Sequence, residues 1–140
     1  MLEYVKERDR DFMESCRRAK RELLAGDGEI DVMSVVRRAI YGGAPSYYVG
    51  FERAERMLRR YESGRMPSTA RTEKTLMWSE LSERVGDHMR RHRLRRRGSA
   101  IAMVLAEGNA GRYFISETYA LRLYYRLQHD SHRRRRRRLL

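Results

Sequence analysis

The chain has 140 residues, 41% hydrophobic and 36% charged, with a formal net charge of +13 and one cysteine. That length suits one compact domain or two very small ones and excludes a multi-domain enzyme. Apolar residues recur throughout except at the very end, so the composition is that of a folded body and not of a wholly disordered chain.

At the N-terminus, MLEYVKERDRDF is charged from its third residue. The longest uncharged stretches reach about half of a membrane span or a little more, so neither a signal peptide nor a membrane span is predicted. A lone Cys16 allows no internal disulfide or CxxC metal site and suits a reducing compartment. The expected location is therefore the cytoplasm, with the nucleoid as one setting. Cys16 itself reads as a small buried residue and not as a nucleophile.

Val5, Phe12, Cys16, Ala19 and Leu23 recur at intervals of seven, four, three and four, which predicts a long helix with one buried face. Gly26 and Gly28 end it. Asp31 can cap a short helix carrying Val32, Val35, Val36, Ala39 and Ile40, which stops at Gly42, Gly43 and Pro45. An extended Tyr47-Tyr48-Val49 follows. A third helix is predicted from about Phe51 to Ser63, with Ala54, Met57, Leu58 and Tyr61 inward and Gly64 as its stop.

The second half repeats this plan at a constant offset of 66 residues. That offset takes Tyr47-Tyr48-Val49 onto Tyr113-Phe114-Ile115, Ala54 onto Ala120, Met57 onto Leu123, Phe12 onto Trp78, Ala19 onto Val85 and Leu23 onto Met89. The predicted fold is mostly α: a small helical domain with an internal pseudo-twofold duplication, helix-helix-extended-helix twice. Residues 1–66 and 67–132 form its two halves and 133–140 an arginine-rich tail. Halves this small gain by closing a common core. The two aromatic segments have the composition to pair as a short two-stranded antiparallel ribbon; the alternative is that each is only an extended lead-in to the next helix.

Three differences between the halves are candidates for function. Arg90, Arg91, Arg93, Arg95, Arg96 and Arg97 crowd the place where the first half has the acidic Gly26-Asp27-Gly28-Glu29 and Asp31. Six cations exceed what a helix dipole or one acidic loop requires, which points to an anion-binding surface. Second, Glu55 and Arg59 become Leu121 and Tyr125, four apart on one helical face, an added apolar stripe suited to an interface with another helix of the same chain, a second subunit or a partner. Third, only the second half continues into Arg133, Arg134, Arg135, Arg136, Arg137 and Arg138. A block of like charges predicts a disordered or extended basic arm.

Without those twelve arginines, 20 basic residues face 19 acidic ones, so the excess charge is local. Arginine outnumbers lysine 29 to 3, which fits bidentate phosphate contacts and fits a GC-rich codon bias equally well. His88 and His92 share a helical face, but no cysteine or carboxylate completes a metal-ligand pattern and the neighbouring arginines repel a cation. Ser68, Thr72, Ser99 and Ser116 read as helix caps and not as nucleophiles. The sequence carries no HExxH, P-loop, GxGxxG, GxSxG, helix-turn-helix, zinc-finger or leucine-zipper pattern.

These observations together predict a protein with no enzymatic activity, cofactor or metal, which binds DNA or RNA electrostatically, with weak sequence specificity, through its two arginine clusters. The alternative is an adaptor or assembly protein that engages an acidic protein partner, or a second copy of itself, through Leu121 and Tyr125.

Overall fold

A computed structural model of the chain describes residues 2–26, 30–66 and 72–139. Among them lie six helices: α1 (Leu2–Leu24), α2 (Val32–Tyr41), α3 (Phe51–Glu62), α4 (Thr72–Arg91), α5 (Arg97–Glu107) and α6 (Glu117–Leu139). The expected acidic stretch at Asp27, Gly28 and Glu29, and the expected cap Ser68, lie outside the described residues.

Local chemistry sets most of the helix ends. Asp31 takes the N-cap position of α2, its carboxylate accepting from the Ser34 amide at 2.7 Å. Ser116 caps α6 in the same way, accepting from the Tyr119 amide at 3.1 Å. Gly64, beyond the end of α3, has φ +71°, a conformation a side chain resists. Ser99 departs from expectation: it lies inside α5, whose N-cap position falls to Arg96.

α1 packs on α2 and α4 on α5, while α3 crosses to α4 and α5 and α6 crosses to α1 and α2. Each crossing helix covers the apolar face of the opposite pair. The shared core holds Phe12, Ile40, Leu58, Trp78, Leu81, Ile101, Tyr113 and Leu123, all almost wholly buried. Burying one large side chain of this kind contributes about 1.5–3 kcal/mol, so the core is built from residues supplied by every helix. Cys16 is 2% exposed within it, and burial pushes its thiol up to about 12, leaving little thiolate to react.

The halves meet where residues 42–50 and 108–116 cross. The Ala44 amide donates to the Ala110 carbonyl at 2.9 Å, the Asn109 amide to Pro45 at 3.1 Å and the Tyr113 amide to Ile40 at 2.9 Å. The expected two-stranded ribbon does not form: among the described residues this crossing is a single antiparallel bridge, Ala44 with Ala110, and no strand. Tyr48 lies at φ +56°, which turns the chain out of the extended conformation a ladder needs. Side chains take over the pairing. Tyr47 stacks on Phe114 with centroids 6.2 Å apart, and Tyr48 on Tyr113 at 6.1 Å, while Phe12 meets Tyr113 edge-on at 5.8 Å.

The C-terminal segment also differs from expectation. Residues 133–138 are not extended; they continue α6 to Leu139. A formed helix adds residues without a new nucleation cost, arginine is a strong helix former, and cations suit the negative end of the helix dipole. Those gains offset the mutual repulsion on which the expectation of an extended arm rested.

Candidate nucleic-acid interface

The first arginine cluster is built on the turn from α4 into α5. The His92 amide donates to His88 at 3.0 Å and the Leu94 amide to Met89 at 3.1 Å, which closes the end of α4. That closure puts Arg93 at φ +50°, in the left-handed position that helix ends usually give to glycine. An arginine there costs on the order of 1 kcal/mol. Half-buried Leu94 packs against the core and anchors the turn, while Arg91, Arg93, Arg95 and Arg96 stand exposed.

Two members of the cluster have carboxylate partners: Arg90 pairs with Asp87 and Arg97 with Glu62. Among the described residues Arg91, Arg93, Arg95 and Arg96 form no ion pair. Elsewhere on the body, several cations have carboxylate partners, as in Arg38 with Glu22 at 2.7 Å, Arg37 with Glu117 at 3.0 Å and Arg17 with Glu14 at 3.2 Å.

A hydrogen-bonded chain ties α4 to the crossing. Arg84 donates to the Tyr47 hydroxyl at 2.7 Å, to the Gly108 carbonyl at 2.6 Å and to Glu107 at 3.2 Å. Tyr47 donates in turn to Glu80 at 2.7 Å, and Glu80 accepts from the Gly111 amide at 3.1 Å. His88 Nε2 lies 2.9 Å from Glu107 Oε1 and its Nδ1 lies 3.1 Å from the Arg84 carbonyl. The hydrogen bond with His88 is the main cause holding the Glu107 carboxyl below its ordinary range, and burial pushes the Tyr47 hydroxyl up. His88 thus fastens the end of α4 to the end of α5. Spacing alone does not announce this arrangement: Glu80 and Arg84 match Glu14 and Arg18 at the 66-residue offset and so look like shared scaffold. Yet in the first half Glu14 turns to Arg17, and Tyr113, the counterpart of Tyr47, bonds to Ser15 at 2.9 Å.

The second cluster rides on α6. Leu127 is the last apolar residue of that helix to pack on the core, and from His132 to Leu139 every residue is exposed. These eight residues extend the helix by about 12 Å. Residues 133–138 make no ion pair among the described residues. α6 packs on α1 and α2, whereas the first cluster lies on the turn between α4 and α5, so the two clusters belong to different helix pairs.

The added stripe is only partly open. Leu121 is half-buried and packs on the core, whereas Tyr125 is 55% exposed and touches Tyr124 edge-on at 5.8 Å.

One feature escaped the sequence reading. A groove of about 720 Å³ opens where the crossing loops meet the N-terminal parts of α1, α3 and α4. Exposed Tyr4 and Phe51 form part of its wall. The signal was available at the 66-residue offset, which sets Phe51 against Glu117. No protein-family model, curated protein or solved structure matches the chain.

Proposed function

We propose that this protein binds nucleic acid without catalysing a reaction, neutralising phosphates with Arg90, Arg91, Arg93, Arg95, Arg96 and Arg97 on the α4–α5 turn and with Arg133, Arg134, Arg135, Arg136, Arg137 and Arg138 on α6. The observation that carries this reading is the concentration of exposed arginines on two elements. Arg91, Arg93, Arg95, Arg96 and 133–138 are exposed without an ion pair among the described residues. Ten such arginines concentrated on two elements form a strong electrostatic footprint for a polyanion.

The twofold organisation supports a second element of the reading: residues 1–66 and 67–132 are copies of one unit. Adding 66 to α2 and α3 gives the start of α5 within one residue and the start of α6. The stacked pairs Tyr47–Phe114 and Tyr48–Tyr113 exchange with one another under the same offset. On this view the clusters are additions to a duplicated scaffold, one in the turn of the second unit and one beyond its end.

The direct test is retention of the purified chain on immobilised DNA and RNA as salt is raised; absence of retention at low salt would sink the proposal. Arg93 offers a sharper version. Arg93→Gly is expected to raise the melting temperature by relieving the left-handed strain while weakening nucleic-acid binding. Unchanged binding in the stabilised variant would remove Arg93 from the interface.

The exposure of Tyr125 favours a second reading, in which the chain engages an acidic protein or a second copy through this face. Tyr125→Asp is then expected to abolish a defined complex, or a self-associated species seen by light scattering, with the helical circular dichroism intact. A complex that survives the substitution rules this face out.

A further inference from the structure

We infer that the groove over the crossing loops is a stacking site for an unpaired nucleobase, an inference that rests on the reading of the chain as a nucleic-acid binder and narrows the ligand to strands with accessible bases. Its volume of about 720 Å³ falls among cavities that take small ligands, about 300–1,000 Å³. The floor includes Tyr47, Tyr48, Tyr113 and Phe114, whose rings are locked in the two near-parallel stacks. Tyr4 and Phe51 also line it, 40% and 41% exposed.

Phe51 packs on α5, its ring 3.3 Å from where a Gly98 Cβ would be, yet it stays 41% exposed. Its counterpart Glu117, also the first residue of a crossing helix, holds Arg37 at 3.0 Å. The same contrast recurs one residue earlier. Gly50 stands where Ser116 caps α6, and the Tyr4 hydroxyl lies 3.5 Å from where a Gly50 Cβ would be. α3 starts without a side-chain cap, and at the same place the Tyr4 ring lies against the backbone.

Charge favours an anion beside the rings. Among the described residues Arg8, Arg53, Lys74 and Arg112 line the groove, with Glu52 as the one carboxylate of its lining. Arg8 is held by Asp9 at 3.0 Å and the Tyr119 hydroxyl at 2.8 Å, and Arg112 by the rings of Tyr41 and Phe114, each 5.6 Å away, with Glu73 at 4.0 Å. Arg53 and Lys74 are exposed on the rim. Flat aromatic walls beside cations match a base and its phosphate: the π-face stacks and the phosphate meets the cation. An acidic peptide would use the cations and leave the exposed rings without a flat partner. Bases inside a duplex are already stacked, so only a single strand or an extruded base can enter.

The test compares a short single-stranded oligoadenylate with its duplex of equal length by fluorescence anisotropy at fixed salt, using the full chain. Phe51→Ala and Tyr4→Ala are each expected to weaken single-strand binding by about 5-fold or more and to leave duplex binding unchanged, with Phe51→Trp retaining affinity. Circular dichroism checks that each variant is folded. If neither alanine variant changes single-strand affinity, the groove is not a base site; loss of that same affinity on removing the α6 arginines would still uphold the electrostatic reading. If the wild-type chain binds neither oligonucleotide, both readings fail together. Displacement of bound oligoadenylate by polyglutamate, coupled to Phe51-dependent polyglutamate binding, would give the groove to an acidic partner and overturn the inference.

Discussion

Replacing Arg133, Arg134, Arg135, Arg136, Arg137 and Arg138 with glutamine is expected to flatten the salt dependence of nucleic-acid binding more than any other change to this chain. Each phosphate neutralised contributes a log-log slope of about 0.9 on duplex DNA and about 0.7 on single strands, so six contacts account for about 4 to 5 units of slope. A protein making that many contacts loses on the order of 10³-fold in affinity between 50 and 200 mM salt; the glutamine variant keeps only the part due to the α4–α5 turn. Glutamine preserves helix propensity, so the extension of α6 is retained and charge alone is tested. The body should melt at the same temperature, because residues 132–139 are exposed and carry no core residue. A slope unchanged by the substitution would remove the α6 arginines from the interface.

Gly108→Ala is expected to be the most damaging small substitution in the fold. Gly108 follows α5 with φ +65° and ψ −125°, a conformation open essentially to glycine alone. A methyl group there is driven into the backbone carbonyl of Pro45, which cannot swing away as a side chain would. The clash falls on the crossing itself. The neighbouring Asn109 amide donates to that same Pro45 carbonyl at 3.1 Å, and the Gly108 carbonyl receives Arg84 at 2.6 Å. The expected loss is at least about 3 kcal/mol, a fall of roughly 10 °C in melting temperature for a domain of this size. Gly64→Ala is the control: φ is +71° but nothing lies within 4 Å, so only backbone strain remains, about 1 kcal/mol. Equal melting temperatures for the two variants would show that the crossing does not hold the halves together.

Much of this architecture could be read from residue spacing. The recurrence of Phe12, Cys16 and Ala19 anticipated one buried face of α1, though Val5, expected on that face, is exposed, and Asp31 anticipated the start of α2, because helix periodicity and capping are local properties. The same local logic misled at two places. Aromatic and β-branched composition suggested a ribbon at Tyr47 and Tyr113, but ring stacking between the halves and the turn at Tyr48 prevailed. Repulsion among residues 133–138 suggested an extended arm, but those residues are attached to a helix that already exists.

The candidate sites divide in a similar way. Arginine runs announce themselves in a linear string, since charge density needs no fold to be counted. Which arginines are engaged needs the fold: Arg97 reaches Glu62, 35 residues away in sequence, while Arg95 and Arg96 form no ion pair among the described residues. The groove was invisible for the same reason. Tyr4, Phe51, Lys74 and Arg112 share no local pattern and come together only because α3 and α4 pack on each other beside the crossing loops.

By itself, then, the sequence determined a mostly helical body, the helix ends set by Asp31, Gly64 and Ser116, and the two places where positive charge accumulates, because each of these follows from interactions within a turn or two of the chain. Only the tertiary structure decided that each crossing helix covers the opposite pair, that Gly108 must lack a side chain, and that Tyr4 and Phe51 flank one groove. Those outcomes depend on which surfaces meet when the two halves bury their apolar faces against each other, a condition distributed over all 140 residues and present in no single segment.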